Sequence, residues 1–175
     1  MPLIDLIEKE FRVINSIRLI LVACWLGAAL FFSVVVAPAA FGVLRSFALP
    51  NASEIAGAIV NRSLGVVNVS GFVIGLIALL SGLVLRNSTS RGLWLVLQSI
   101  SLLVLTIATA VGDWIIAARI HALRAASQLR IDQLAPDDPT KIAFDSLHGY
   151  SVQALGIAMI AALVAILAIV RSFKN

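Results

Sequence analysis

The chain has 175 residues, of which 61% are hydrophobic and 13% are charged, and its mean hydropathy is +1.05. Soluble domains average roughly 45–50% apolar and 25% charged residues, so this composition excludes an ordinary soluble domain and indicates a surface covered by lipid. The single cysteine, Cys24, excludes a disulfide within the chain, and with two histidines there is no zinc site of the usual Cys/His spacing. The net charge of +4 is scattered over predicted helix ends without interleaved aromatic residues. Phospholipid head groups, and not nucleic acid, are therefore the expected partner.

Four uncharged stretches are each long enough to cross a hydrocarbon core of about 30 Å, which takes roughly 20 apolar residues. They predict an all-α integral membrane protein, a four-transmembrane-helix bundle that forms a single domain over residues 1–175. The predicted segments are spans over residues 17–38, 65–86, 92–117 and 147–171 and a polar loop over residues 119–146.

The segment before the first span has apolar residues at helical spacing from Ile4 to Ile14, with charged residues between them. This pattern is typical of an interfacial helix, so we predict one at the N-terminus. Acidic residues precede the first span, and Val36-Ala37-Pro38 is a poor cleavage site because proline follows the small residue, so we expect this span to remain in the mature protein. Because proline disfavours helical geometry at the residue before it, the span is expected to end or kink near Ala37, with residues 38–50 leading out along the surface.

The second and fourth spans carry faces of small residues. Gly71, Gly75, Ala78 and Gly82 follow one face of the second span and begin with a GxxxG motif. The alanine-rich face of the fourth span comprises Ala154, Ala158, Ala161, Ala165 and Ala168. Tight packing within the chain is the favoured interpretation, and a homodimer through Gly71/Gly75 or the alanine-rich face is the alternative.

Capping signals place the ends of the other helices. Asn51, with Glu54 three positions later, predicts a helix that continues into the second span, and Pro139 after Asp138 predicts the start of the last helix. Trp94 and Trp114 are 20 positions apart, the thickness of a bilayer core along a helix, which puts Asp113 at an interface. Cys24 is expected to be buried as a small packing residue.

Most of the polar residues near the spans fall on one side of the membrane in a four-span topology. We predict a ligand-binding pocket there, formed by Pro38, Asn68, Asp113, Arg119, His148 and Ser151. His148 is the candidate metal or haem ligand, although an imidazole that donates to Asp113 or to a carbonyl is the favoured interpretation. His121 is expected to be a surface residue. No motif of a known catalytic class occurs, so we assign no catalytic residue, favour a non-enzymatic role and expect no cofactor, with haem or a metal as the alternative.

The basic residues predict the orientation. The termini and the second loop hold seven Lys and Arg residues and the other two loops hold six, two of them far from the span ends. Because basic residues close to the spans count most, we predict cytoplasmic termini, a bacterial inner-membrane location and a pocket on the non-cytoplasmic side.

Two sequence pieces resemble a known family. They are Phe-Phe-x-x-x-Val-Ala-Pro at residues 31–38 and Leu-His-x-x-Ser at residues 147–151. The chain is similar in these to the transmembrane protein 205-like proteins, whose bacterial members are grouped as a domain of unknown function numbered 4149. Weaker pieces of the same resemblance are Trp25 to Gly27, Ala56 to Ala58 with Arg62, and Asp113-Trp114 with Arg119 and Arg124.

The resemblance implies a small four-helix membrane protein without an established biochemical activity, whose animal relatives are discussed in connection with metal-drug resistance and secretory trafficking. Family members often carry Asn four residues after the serine, where this chain has Leu155. A more distant resemblance is to copper-resistance D-type and haem-linked four-helix proteins, which rely on membrane histidines that the first two spans here lack. Three hypotheses stay open: an accessory or small-ligand or metal-handling protein, a haem or redox protein that uses His148 alone or with His121, and a homodimeric scaffold.

Overall fold

The computed structural model describes the backbone of residues 3–85, 92–127 and 129–172 and the side chains of residues 10–82, 92–127 and 129–172. The helices in these ranges are α1 (Leu3–Phe31), α2 (Ala37–Ser46), α3 (Ala52–Leu85), α4 (Leu93–Ala110), α5 (Ala118–Ala126) and α6 (Pro139–Ser172). A π-helical segment, Phe32–Val36, joins α1 to α2, and a second, Val111–Ala117, joins α4 to α5. The described chain therefore forms four long rods, with a short 3₁₀ turn at Ile131–Gln133 before α6.

All four rods are long and apolar enough to cross a bilayer. The candidate spans are Glu10–Ser46, Ala52–Gly82, Leu93–Ala126 and Pro139–Ser172. Large apolar side chains point away from the bundle on every rod, and Val34, Val66 and Ile160 are 66–70% exposed. Such exposure suits lipid and not water, so the chain is a multi-pass membrane protein.

Neighbouring rods run antiparallel and close into a ring. The first rod packs on α3 and α6, and α4 packs on the same two helices. Trp25 of α1 donates to the carbonyl of Val67 in α3, whereas Arg18, earlier in α1, reaches the carbonyl of Ala78, later in α3. The connections between α2 and α3 and between α5 and α6 therefore lie at one end of the bundle, which we call the loop end. The start of α1 and the end of α6 lie toward the opposite end, which we call the terminal end.

Small residues bring these helices close together. A Cβ atom on Gly71 would lie 2.7 Å from the Trp25 indole, and one on Gly75 would lie 2.5 Å from Thr106 Oγ1. Ala158 and Ala165 of α6 are fully buried. The glycine and alanine faces thus pack within the chain, as favoured from the sequence, and a homodimer through Gly71 and Gly75 would have to displace these contacts.

The structure does not show one prediction about the first rod and corrects another. The N-terminal segment continues into α1 from Leu3 onward, and no separate interfacial helix is shown in the described chain, although the side chains up to residue 9 lie outside the description. Cys24 is exposed on the outer face of α1, because its neighbour Trp25 turns inward and is 3% exposed. The cysteine therefore faces lipid and does not pack in the core.

The irregularity expected near Ala37 is present, but the helix does not end there. The Ala37 N–H bonds to the carbonyl of Phe32, five residues back, and α2 continues to Ser46. The wider π turn accommodates Pro38, which has no N–H to donate and whose ring would crowd the preceding turn of an α-helix. Residues 37–46 are therefore helical and pack against α3.

The expected starts of the later helices are confirmed. The second rod begins at Ala52, directly after Asn51. The last begins at Pro139, and Asp138 Oδ1 accepts the N–H of Thr140 at 2.7 Å. The predicted end of the second span, residue 86, lies outside the described residues.

Candidate binding cavity at the loop end

Helices α3 and α6 are the longest in the described chain and exceed the thickness of a bilayer core. The helices α3 and α6 each have 34 residues, which at 1.5 Å per residue is about 51 Å, some 20 Å more than the hydrocarbon core. Charged side chains such as Glu54, Arg124, Arg130 and Lys141 gather at the loop end, so the excess length belongs there. This end of the bundle therefore passes through the head-group layer.

A cavity of about 400 Å³ opens between the helices at the loop end, and we call it the main cavity. Its apolar wall contains Phe41 from α2, Val60 and Leu64 from α3, Ile120 from α5 and Ile131 from the 3₁₀ turn. Its polar wall contains Ser53, Glu54, Asn61, Arg124, Ser127, Arg130, Asp132, Lys141, His148 and Ser151. Every helix except α1 and α4 contributes to this lining, which therefore exists only in the assembled bundle.

Two of the three basic side chains in the main cavity are paired with carboxylates. Arg130 Nε lies 3.4 Å from Glu54 Oε2 and 3.1 Å from Asp132 Oδ1. Arg130 also donates to the carbonyl of Pro50 at 2.6 Å, which ties the connection before α6 to the start of α3. Lys141 Nζ lies 2.8 Å from Asp145 Oδ2, one turn further along α6. These pairs are exposed to solvent and are worth little stability individually, but they satisfy both cations.

The third basic side chain, Arg124, is held differently. Its guanidinium carbon lies 5.2 Å from the ring centre of Phe144, a cation–π contact between α5 and α6. A Cβ atom on Gly57 would lie 3.1 Å from its Nη2, so the absence of a side chain at Gly57 makes room for the guanidinium against α3. Among the residues that the structure describes, Arg124 makes no salt bridge within 4 Å.

A second, more open depression, the side groove, lies between α3 and the third rod. Its lining includes Asp113, His121, Arg62 and Ser70, and it shares Asn61 and Arg124 with the main cavity. Asn61 Nδ2 donates to His121 Nε2 at 2.9 Å. Asn61 and Arg124 thus form the partition between the two spaces, and His121 is exposed as expected from the sequence.

The six residues predicted to share one pocket are distributed over several places. His148 and Ser151 line the main cavity, whereas Asp113 lines the side groove. Asn68 is 3% exposed and packs against Gly112 in the π-helical segment, 3.1 Å from where a Cβ would stand. The remaining two, Pro38 and Arg119, are exposed and line neither space.

Sequence reasoning assigned no binding role to Arg124 or Asn61. Arg119 and Arg124 are five positions apart, which turns them by about 140° around a helix, so only one of them can face the bundle. A π-helical segment precedes both arginines and changes which side of the following helix faces the bundle. The size of this rotation does not follow from the spacing of residues in the sequence. Sequence reasoning placed Arg119 in the predicted pocket, but nothing in the sequence decided between the two arginines.

A buried arginine at the terminal end was also missed. Arg18 is 3% exposed, and its Nε donates to the carbonyl of Ala78 at 2.9 Å while its Nη1 donates to Asn15 Oδ1 at 2.8 Å. With the Gln98 amide turned so that its oxygen faces the guanidinium, that oxygen lies 2.6 Å from Nη1 and also accepts from Nη2. Arg18 therefore joins α1, α3 and α4 through neutral oxygens. The signal was available, because Asn15 and Arg18 continue the helical face of Val22 and Trp25.

The described residues do not bring the candidate metal ligands together. In the described ranges no group of three or more His, Cys, Asp or Glu side chains could hold a metal ion. The two histidines line different spaces, His148 the main cavity and His121 the side groove. His148 stacks on Phe144, with ring centres 6.5 Å apart and an interplanar angle of 6°.

Comparison with known proteins agrees with this architecture. The model of a family described as Domain of unknown function (DUF4149) matches residues 20–128. The chain belongs to the DUF4149 family. The match runs from α1 through α5 and so includes Arg124, Asn61 and Gly57 but not the α6 side of the main cavity. No curated protein and no solved structure matches this chain. It is a four-helix membrane protein of the DUF4149 family, for which no function is known.

Proposed function

We propose that this protein is a non-enzymatic membrane protein that binds a small amphipathic molecule in the main cavity. The observation that carries the proposal is a cavity of about 400 Å³ whose lining combines apolar side chains with charged and polar ones. Ligand pockets range over roughly 300–1,000 Å³ and combine a mostly apolar lining with a few polar groups that orient the ligand.

The position of the cavity supports an amphipathic ligand. It lies where α3 and α6 extend past the hydrocarbon core, at the depth of the lipid head groups. A molecule that partitions into the head-group layer meets both walls of the cavity there. In the predicted orientation, with cytoplasmic termini, the main cavity opens on the non-cytoplasmic side.

Photoaffinity labelling tests the proposal. The purified protein in phosphatidylcholine nanodiscs is irradiated with a dodecanol analogue that carries a diazirine within its chain, and the labelled peptides are identified by mass spectrometry. We expect labelling that saturates, is displaced by unlabelled dodecanol and maps to residues that line the main cavity, such as Val60, Leu64 and Phe144. Labelling that never saturates and spreads over lipid-facing residues such as Val34 and Ile160 would contradict the proposal.

Adjacent substitutions separate the two spaces. Gly57→Leu fills the main cavity, and Ala58→Leu, one residue later, places the same side chain in the side groove. Saturable labelling should be lost in the first variant and kept in the second, and the reverse result would assign the ligand to the side groove. Ser53→Trp at the exposed rim of the main cavity serves as a second blocking variant if Gly57→Leu does not fold.

A further inference from the structure

We infer that the molecule bound in the main cavity is an amphiphile with an anionic oxygen head group, a carboxylate or a phosphate, and that Arg124 binds this head group. The inference rests on the proposed function and specifies the class of its ligand.

Among the described residues, the charges of the main cavity leave one cation for a ligand. Arg130 has two carboxylates within 3.4 Å, those of Glu54 and Asp132, and Lys141 has Asp145 at 2.8 Å. In the part of the chain that the structure describes, Arg124 has neither a salt bridge nor a hydrogen bond to a protein oxygen. A guanidinium gains most from an oxyanion whose two oxygens are spaced to accept two parallel N–H bonds, as they are in carboxylates and phosphates.

The surroundings of Arg124 position its guanidinium but give its N–H groups no acceptor oxygen among the described residues. The Phe144 ring, 5.2 Å from the guanidinium carbon, attracts the cation but contributes no acceptor oxygen. Gly57 lets the guanidinium approach the α3 backbone, where any side chain would meet its Nη2 at 3.1 Å or less. The hydroxyl of Ser151 and the amide of Asn61 in the same lining can donate to further oxygens of a head group.

The apolar wall distinguishes an amphiphile from a free ion. Phe41, Val60, Leu64 and Ile120 line the same space as Arg124. An inorganic anion would leave this wall in contact with water, whereas an acyl or alkyl chain attached to the anion would cover it. The combination favours a head group on Arg124 with its chain along the helices.

The experiment compares three probes with the same photoreactive dodecyl chain: the carboxylate, the phosphate monoester and the alcohol. On the wild-type protein we expect half-saturation by the two anionic probes at concentrations about tenfold or more below that of the alcohol, as expected for a charge-assisted pair. Equal half-saturation by the anionic probes and the alcohol would overturn the inference without any variant. Inorganic phosphate should not compete, and its competition at equal concentration would show a site for the free ion instead.

Matched arginine variants assign the head group to one side chain. Arg124→Gln should raise the half-saturating concentration of the anionic probes to that of the alcohol and leave the half-saturating concentration of the alcohol unchanged. Arg130→Gln changes an arginine that already has two carboxylate partners, so this variant should keep the preference for the anionic probes. A preference that survives Arg124→Gln contradicts the role of Arg124. If the alcohol labels the cavity and the anions show no advantage, the inference fails and the proposed function stands. If no probe labels the cavity saturably, both fail.

Discussion

The close contact between Gly71 and Trp25 gives a sharp test of the bundle's packing. In Gly71→Ala the new Cβ would lie 2.7 Å from indole atoms Cε2 and Nε1 and 2.8 Å from Thr109 Cγ2. These distances are shorter than Cβ contacts in real proteins, so either the indole or α4 must move. The indole is not free to move, because its Nε1 donates to the carbonyl of Val67 at 2.9 Å. The added methyl group on α3 would therefore be too close to side chains of both α1 and α4.

The expected loss of stability follows from three contributions. Overpacking of a well-packed core costs about 1–3 kcal/mol. Displacement of the indole weakens a hydrogen bond worth about 0.5–1.5 kcal/mol. Replacement of glycine by alanine within a helix returns roughly 0.5–1 kcal/mol. The free energy of unfolding of Gly71→Ala should therefore fall by about 2 kcal/mol.

Unfolding by SDS in mixed dodecyl-maltoside micelles, followed by far-UV circular dichroism, measures this difference. The matched control is Gly156→Ala in α6, where a Cβ would meet nothing within 4 Å, so the same substitution should be neutral or stabilise by up to about 1 kcal/mol. Equal stability of the two variants would refute the packing argument. Adding Trp25→Phe to Gly71→Ala should restore part of the lost stability, because the smaller ring leaves space for the new methyl group. The double variant should therefore lose less free energy of unfolding than the sum of the two single variants.

Three further substitutions test other contacts. Arg18→Lys should lower the free energy of unfolding by about 2 kcal/mol in the same SDS titration, because an ammonium group cannot reproduce the guanidinium fork, while Arg12→Lys on the exposed face should have no effect. Asp138→Ala removes the cap at the start of α6 and should lower the free energy of unfolding in detergent by about 1 kcal/mol, which a lower melting temperature would report. A melting temperature equal to that of the wild type would show that the cap is dispensable. Cys24→Leu should change stability by less than about 0.5 kcal/mol, and a larger loss would mean that the cysteine packs in the core after all.

The candidate site was only partly predictable. His148 and Ser151 were expected in a pocket and do line one, because three positions along a helix return a side chain to the same face. Asp113 was expected beside them but lines the side groove. That difference depends on the rotation of the third rod about its own axis, which its π-helical segment alters. Whether any of these residues binds a ligand is still a prediction.

In the first rod, the position of the span was predictable from the sequence, but the direction in which neighbouring side chains face was not. Hydropathy located the span, since every stretch of sufficient length and apolarity can satisfy its backbone only as a helix in lipid. Hydropathy does not show, however, whether a side chain faces the lipid or the interior of the bundle, because both surroundings are equally apolar. Cys24 and Trp25 are equally acceptable on either face, and only contact with α3 decides that the indole is inside.

The sequence by itself determined the membrane class, the four apolar rods, the start of the last helix at Pro139 and the close packing of the glycine face. These properties depend on local chemistry: the length of an apolar run, a capping side chain, and the absence of side chains where helices cross. The tertiary structure alone decided that Arg124 has Phe144 beneath it and no carboxylate beside it among the described residues, and that Arg18 finds its acceptors on α3 and α4. Those contacts join residues that are distant in the chain, so they exist only once the rotation and depth of each helix are settled by packing against its neighbours.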